Sequence, residues 1–234
     1  MPSWRAYAPR ALIALVILIA ATLGWQWWAA HWRPDSADWP TQGIAIGPDN
    51  IPLRWPSIAM RDIAFAYIDA TVGASPSHGD FTNSHDAALS AGLRVGPIHH
   101  YRLCAPAMDQ AAAFVRLVPR EATALPPLVM LGLDEDCPRQ PTRALLLSEL
   151  STFLTQIETH MGKSAIIAPD TDFEERFAVI AAINRPIMVQ SARAVPDADG
   201  PAWLLWLAND RLRIDGSTGA TRLLVLGNGI RRAQ

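Results

Sequence analysis

Eight short apolar runs, separated by longer stretches of helical period, govern what this chain can fold into. They are GIAI (43–46), IAFAYIDA (63–70), LRVGPIHHY (93–101), PLVMLGL (127–133), SAIIA (164–168), PIMVQS (186–191), AWLLWLA (202–208) and TRLLVL (221–226). Runs of this length with β-branched and aromatic residues read as buried strands. Helical patterns at 80–92, 107–118, 141–161 and 172–183 fall between them. Strands alternating with helices give an α/β layer architecture with a mainly parallel sheet. The connections after residue 191 are too short and too rich in Gly and Asp for full helices, so a barrel built this way is incomplete on its helical side. No internal repeat points to a solenoid.

The first forty residues obey a different rule. Residues 11–30, ALIALVILIAATLGWQWWAA, carry no charge and are long enough to cross a hydrocarbon layer of about 30 Å as a helix. Arg5 and Arg10 precede the segment and Trp25, Trp27 and Trp28 close it, which places residues 1–10 in the cytoplasm and the rest outside. A cleaved signal peptide is the competing reading. No small-x-small site precedes the bulky WQWW run, which favours an uncut anchor in the inner, cytoplasmic membrane. Residues 31–41, polar and with two prolines, read as a short stiff linker. The barrel then occupies 42–228 and a tail 229–234. A formal charge of −2 supplies no basic field for nucleic acid.

Taken in order, the soluble segments resemble glycoside hydrolase family 25, the muramidase-type lysozymes that cut peptidoglycan glycan chains. QGIAIGPDNIPLRWPSI (42–58) is similar to the family's opening strand and loop, and FAYIDATVG (65–73) to its FAYIKATEG. AGLRVGPIHHY (91–101), ALPPLVMLGL (124–133), MGKSAIIA (161–168), AWLLWLAN (202–209) and GATRLLVL (219–226) match the later segments in the same order. The resemblance implies a flattened, incomplete (β/α)8 barrel behind one transmembrane helix, with a groove at the carboxyl ends of the strands.

The resemblance also implies that the family's acids are missing. Ala45 stands for the Asp of the first strand, Met130 and Gly132 for the Asp and Glu of the fourth, and Arg222 for the Asp of the last. Residues i and i+2 of a strand face the same way about 6.5 Å apart, which is how an Asp-x-Glu pair flanks one glycosidic bond. Met130 and Gly132 cannot transfer protons. No catalytic residue is therefore expected, and the domain reads as an inactive peptidoglycan-associated or protein-binding module. The alternative is an active N-acetylmuramidase with displaced acids, for which Asp69, Asp134, Glu135 and Asp136 are the fallback residues. The last three follow the strand on a loop, where a solvated surface role is the simpler expectation.

Six residues are candidates for the groove wall: Tyr67, Asp69, His99, Tyr101, Trp206 and Arg222. Asp69 replaces a family Lys and Arg222 a family Asp, so both signs are reversed; an ion pair between them across the old site is one expectation, separate partners the other. His99 and His100 are neighbours on a strand and face opposite ways, so no metal site is expected and His99 reads as a satisfied structural histidine. The remaining histidines, His85 among them, read as surface residues. Trp203 and Trp206 point in different directions, and core packing is their simpler role. Ala168, Met188, Leu207 and Ala208 replace polar or aromatic family residues and make the groove smoother. Cys104 and Cys137 follow neighbouring strands of such a barrel, which places both sulfurs on one rim; a disulfide is expected over free thiols in an outward-facing compartment. No cofactor is implied.

Overall fold

The computed structural model describes residues 4–227, apart from 78, 135, 136, 138, 139 and 198. Glu135, Asp136, residue 228 and the tail 229–234 lie outside the described residues. In chain order the elements are α1 (Trp4–His31), β1 (Gln42–Ile46), α2 (Trp55–Ala59), β2 (Phe65–Val72), β3 (Ser75–Pro76), α3 (Phe81–Ser90), β4 (Arg94–Tyr101), α4 (Ala107–Leu117) and β5 (Leu128–Leu131). There follow α5 (Arg143–Met161), β6 (Ile166–Pro169), α6 (Thr171–Phe177), α7 (Val179–Ala182), β7 (Met188–Gln190), β8 (Leu205–Leu212) and β9 (Thr221–Leu226).

The strands form one sheet in the order β6-β5-β4-β2-β1-β9-β8-β7, with the two-residue β3 hanging on β2. A bridge from Ile167 to Ile187 joins its two ends, so the sheet curls into a nearly closed barrel. Along that order every pairing is parallel except those of β9, which runs antiparallel to both β1 and β8; off it, β3 runs antiparallel to β2. The short connection after β8 dictates this: a hairpin turns the chain straight back, whereas a parallel return requires a crossover of a dozen residues or more.

Strand alternation sorts the side chains into two layers. Inside the barrel lie Ala45, Phe65, Tyr67, Ile98, Leu128, Ile166, Ala168, Met188, Leu207 and Leu224, with Met130 packed against them. Outside, Ile44, Ile46, Ile68, Val95, Val129 and Ile167 meet the helices. The 19-residue α5 presents Leu146, Leu150, Phe153, Leu154, Ile157 and Met161 to that outer face, a spacing that keeps one stripe against the sheet. Thr142 caps its first turn by accepting from the Leu145 N–H, and Gly162 ends it with φ of +66°. The helical pattern at 172–183 is broken in two. Ala178 takes a left-handed φ of +46°, and the Glu174 carboxylate turns back to accept from the N–H groups of Val179 and Ile180 that this break exposes.

Where β8 and β9 lack a covering helix, tryptophan takes its place. Trp206 is fully buried on the outer face of β8, with Trp32, Trp39 and Trp203 packed round it. Of residues 31–41, Trp32 and Trp39 thus lie against the barrel wall, while residues 35–38 stay exposed. The end of α1 is built in as well: Asn209 Nδ2 donates to the carbonyls of Ala29 and Trp32, each at 2.8 Å, and the Arg213 N–H donates to Ala30. Arg10–His31 is one candidate membrane span, and its residues 10–28 project from the barrel with their side chains exposed.

Candidate active-site groove

The upper end of the barrel, at the carboxyl ends of its parallel strands, holds a cavity of about 420 Å³. β2 alternates Phe65, Tyr67 and Asp69 toward the interior, and Asp69 emerges where the interior opens. Its Oδ1 accepts from His100 Nε2 at 3.0 Å and from Arg222 Nη2 at 3.3 Å. The ion pair across the barrel therefore exists, with His100 as a third member. Gly47 makes room for it: a Cβ there would lie 2.5 Å from Asp69 Oδ2.

Ala45 pairs with Arg222 in the ladder between β1 and β9, so these two positions face each other. Met130 sits inside, in register with His100 on one side and Ala168 on the other. β5 ends at Leu131, so Asp134 lies beyond the strand. Gly132 faces the end of β6, where a Cβ would come within 2.9 Å of Asp170 Oδ2. Asp170 thus fills the space in which a side chain at 132 would begin.

Asp134 differs from the solvated loop residue expected. It is buried; its carboxylate pairs with Arg102 and accepts from the Leu103 N–H at 2.8 Å. The disulfide between Cys104 and Cys137 is present, with Cα atoms 5.6 Å apart, and ties together the same two loops. Asp170 caps α6 by accepting from the Phe173 N–H at 2.8 Å. Every described carboxylate lining the cavity is thereby engaged by a cation or a fixed N–H group. A carboxylate held this way is an acceptor, whereas glycosidic cleavage also requires a proton donor over the leaving oxygen.

Three of the six groove candidates, Tyr67, His99 and Trp206, lie elsewhere. Tyr67 is inside the barrel but near its opposite end, where it lines a smaller cavity of about 150 Å³ with Phe65 and Ile166; burial raises its phenol well above the ordinary value. His99 points outward into the helical layer, wholly buried. Its Nδ1 accepts from Thr71 Oγ1 at 2.7 Å and its Nε2 donates to Gln110 Oε1 at 3.1 Å. Burial lowers its pKa to about 3, against the hydrogen bond to Gln110 and helped by the nearby His100. Tyr101 touches the cavity wall but turns its ring onto Phe153, centroids 5.4 Å apart. Trp206 faces outward, and its Nε1 donates to the Ser191 carbonyl. Ala208 lies in that outer cluster too, while Ala168, Met188 and Leu207 face inward. His85 is buried rather than exposed, against Phe81 and near Glu121. Among the described residues no group of three His, Cys, Asp or Glu side chains could hold a metal ion.

The polar groove residues His100, Arg102, Asp170 and Gln190 escaped the list drawn from sequence. Asp170 carries a visible helix-capping signature ahead of TDFEE, yet its reach into the groove depends on the missing side chain at 132.

This geometry has counterparts. The chain is 25% identical to the family 25 glycosyl hydrolase from Bacillus anthracis, with a TM-score of 0.75 over 85% of this chain and 94% of that one. The bacterial lysozyme from Streptomyces coelicolor shares the fold, with a TM-score of 0.69 at 20% identity, covering 80% of this chain and 92% of that one. YegX from Escherichia coli K12 is 26% identical over 204 residues, 85% of this chain and 74% of its own length. The sequence model for glycosyl hydrolases family 25 matches residues 46–204, and the chain belongs to that family.

Proposed function

We propose that this protein is a membrane-anchored member of family 25 that has given up glycan cleavage and serves in the cell envelope by binding peptidoglycan or an envelope protein. The observation that carries the reading is the replacement of the family's acidic positions by Ala45, Met130, Gly132 and Arg222, with Arg222 now held on Asp69. General acid–base help is worth about 10² to 10⁴ in rate, and a guanidinium where the family places a carboxylate repels a cationic transition state. The groove encloses about 420 Å³ and offers Asp69, His100, Arg102 and Gln190 as hydrogen-bonding groups.

The anchor belongs to this reading. Loss of residues before a cut near Ala30 would strip the carbonyls of Ala29 and Ala30 from Asn209 and Arg213, which supports a retained helix with the barrel on the outer face of the inner membrane. The test is sedimentation of the full-length protein in detergent with purified peptidoglycan. Retention that falls when Arg102→Ala and Gln190→Ala are combined supports groove binding; an unchanged soluble fraction favours an envelope protein as partner.

One observation favours a second reading. Asp170 Oδ2 occupies the place where a side chain at 132 would begin, so an active muramidase with displaced acids would use Asp170 together with Asp69. Glycan release abolished by Asp170→Asn would establish it.

A further inference from the structure

A second cavity, of about 490 Å³, lies where α1 joins the barrel, away from the groove. Its wall includes His31, Arg33, Arg61, Arg213 and Asp215. Arg61 pairs with Asp215, which accounts for the one acid in the wall. Arg33 is held by neutral acceptors instead: its Nε and Nη2 donate to Gln42 Oε1 and its Nη1 to the Arg61 carbonyl. Asp62 is the acid that acts on Arg33 through space. Arg213 is anchored through its backbone to Ala30, and its side chain is exposed; among the described residues neither Arg33 nor Arg213 forms an ion pair.

Depth completes the argument, and it rests on the reading of α1 as a membrane anchor. Trp25, Trp27 and Trp28 are exposed, and they precede His31 by three to six residues. At 1.5 Å per residue the cavity lies about 5–9 Å beyond the tryptophan belt, which is the thickness of a headgroup layer. A helix carboxyl terminus carries roughly half a negative charge, too little to neutralise two guanidinium groups. Guanidinium matches phosphate oxygens in geometry as well as in sign.

We infer that this cavity binds the headgroup of an anionic phospholipid of the outer leaflet, phosphatidylglycerol in chemistry, with Arg213 and Arg33 on the phosphate. The site fixes the barrel's height and orientation on the membrane. The experiment is native mass spectrometry of the full-length protein released from nanodiscs containing equal phosphatidylglycerol and phosphatidylcholine. One retained phosphatidylglycerol is expected on the wild type, and about fivefold less on Arg213→Gln, the loss of one basic contact at a membrane surface. Circular dichroism of that variant checks that the barrel is intact. Inorganic phosphate at millimolar concentration should not displace the lipid, whereas short-chain phosphatidylglycerol should.

Equal retention of both lipids, an unchanged Arg213→Gln variant, or displacement by phosphate alone would each overturn the assignment. Carbonate extraction separates the two levels: protein stripped from membranes removes the anchor reading itself, while protein that resists extraction without lipid preference removes only the headgroup site.

Discussion

Replacing Arg222 by Met tests whether its pair with Asp69 helps to hold the barrel together. Arg222 Nη2 and Asp69 Oδ1 are 3.3 Å apart, and the side chains are 28% and 10% exposed. At an effective dielectric of 20 the gross attraction is about 5 kcal/mol. Most of that is offset by desolvation, and His100 remains on Asp69 after Arg222 is gone. The net loss should be about 1–3 kcal/mol, below the roughly 3–5 kcal/mol of a fully buried pair stripped of one partner. Asp69→Asn should cost less, because the partly exposed Arg222 can turn to water. Urea unfolding of the full-length protein in detergent, followed by tryptophan fluorescence, gives both single values and the double variant. A coupling of about 1–2 kcal/mol is expected for two groups in contact. Additive single effects, with Arg222→Met costing under about 0.5 kcal/mol, would refute the pair as a feature of the molecule in solution.

Three further outcomes follow from the same geometry. The bond between Cys104 and Cys137 closes a loop with a sequence separation of 33, so Cys104→Ser with Cys137→Ser should lower stability by about 3–4 kcal/mol in urea; no change would mean the loops are fixed without it. His99 has a folded pKa lowered to about 3 against an unfolded value near 6.5, so its contribution is whole above about pH 6.5 and is lost progressively as pH falls toward 3, by on the order of 1 kcal/mol per pH unit. Unfolding midpoints at pH 7.5 and 5 should therefore separate in the wild type and converge in His99→Gln; equal separation in both would show that another group titrates. Gly132→Glu should not restore hydrolysis even with Met130→Asp, because its Cβ meets Asp170 Oδ2 at 2.9 Å and displacing that helix cap costs about 1 kcal/mol, read as a lower midpoint without glycan release.

The chain's architecture was readable because the helical stretches announce themselves by period and cap, as Thr142 and Gly162 do around α5. The strand runs were readable as strands but not as faces. A strand covered on both sides is apolar throughout and gives no parity signal, so nothing in RVGPIHHY told which of His99 and His100 looks into the barrel. The structure turns His100 inward and His99 into the helices. The same ambiguity covers Trp206, which the structure packs into the outer layer. Residues 31–41 misled for a different reason: they are polar on average, while two half-buried residues among them, Trp32 and Trp39, pack on Trp206, which is distant in sequence. The burial of Asp134 has no local signal, because Arg102, its partner, is distant in sequence.

The most direct test of the inert-site account is glycan release. Full-length protein in detergent is incubated with dye-labelled peptidoglycan, and soluble label is followed beside a protein-free control and an active family 25 muramidase. The account predicts release no faster than the control. Release above the control that disappears in Asp170→Asn or Asp69→Asn would contradict it.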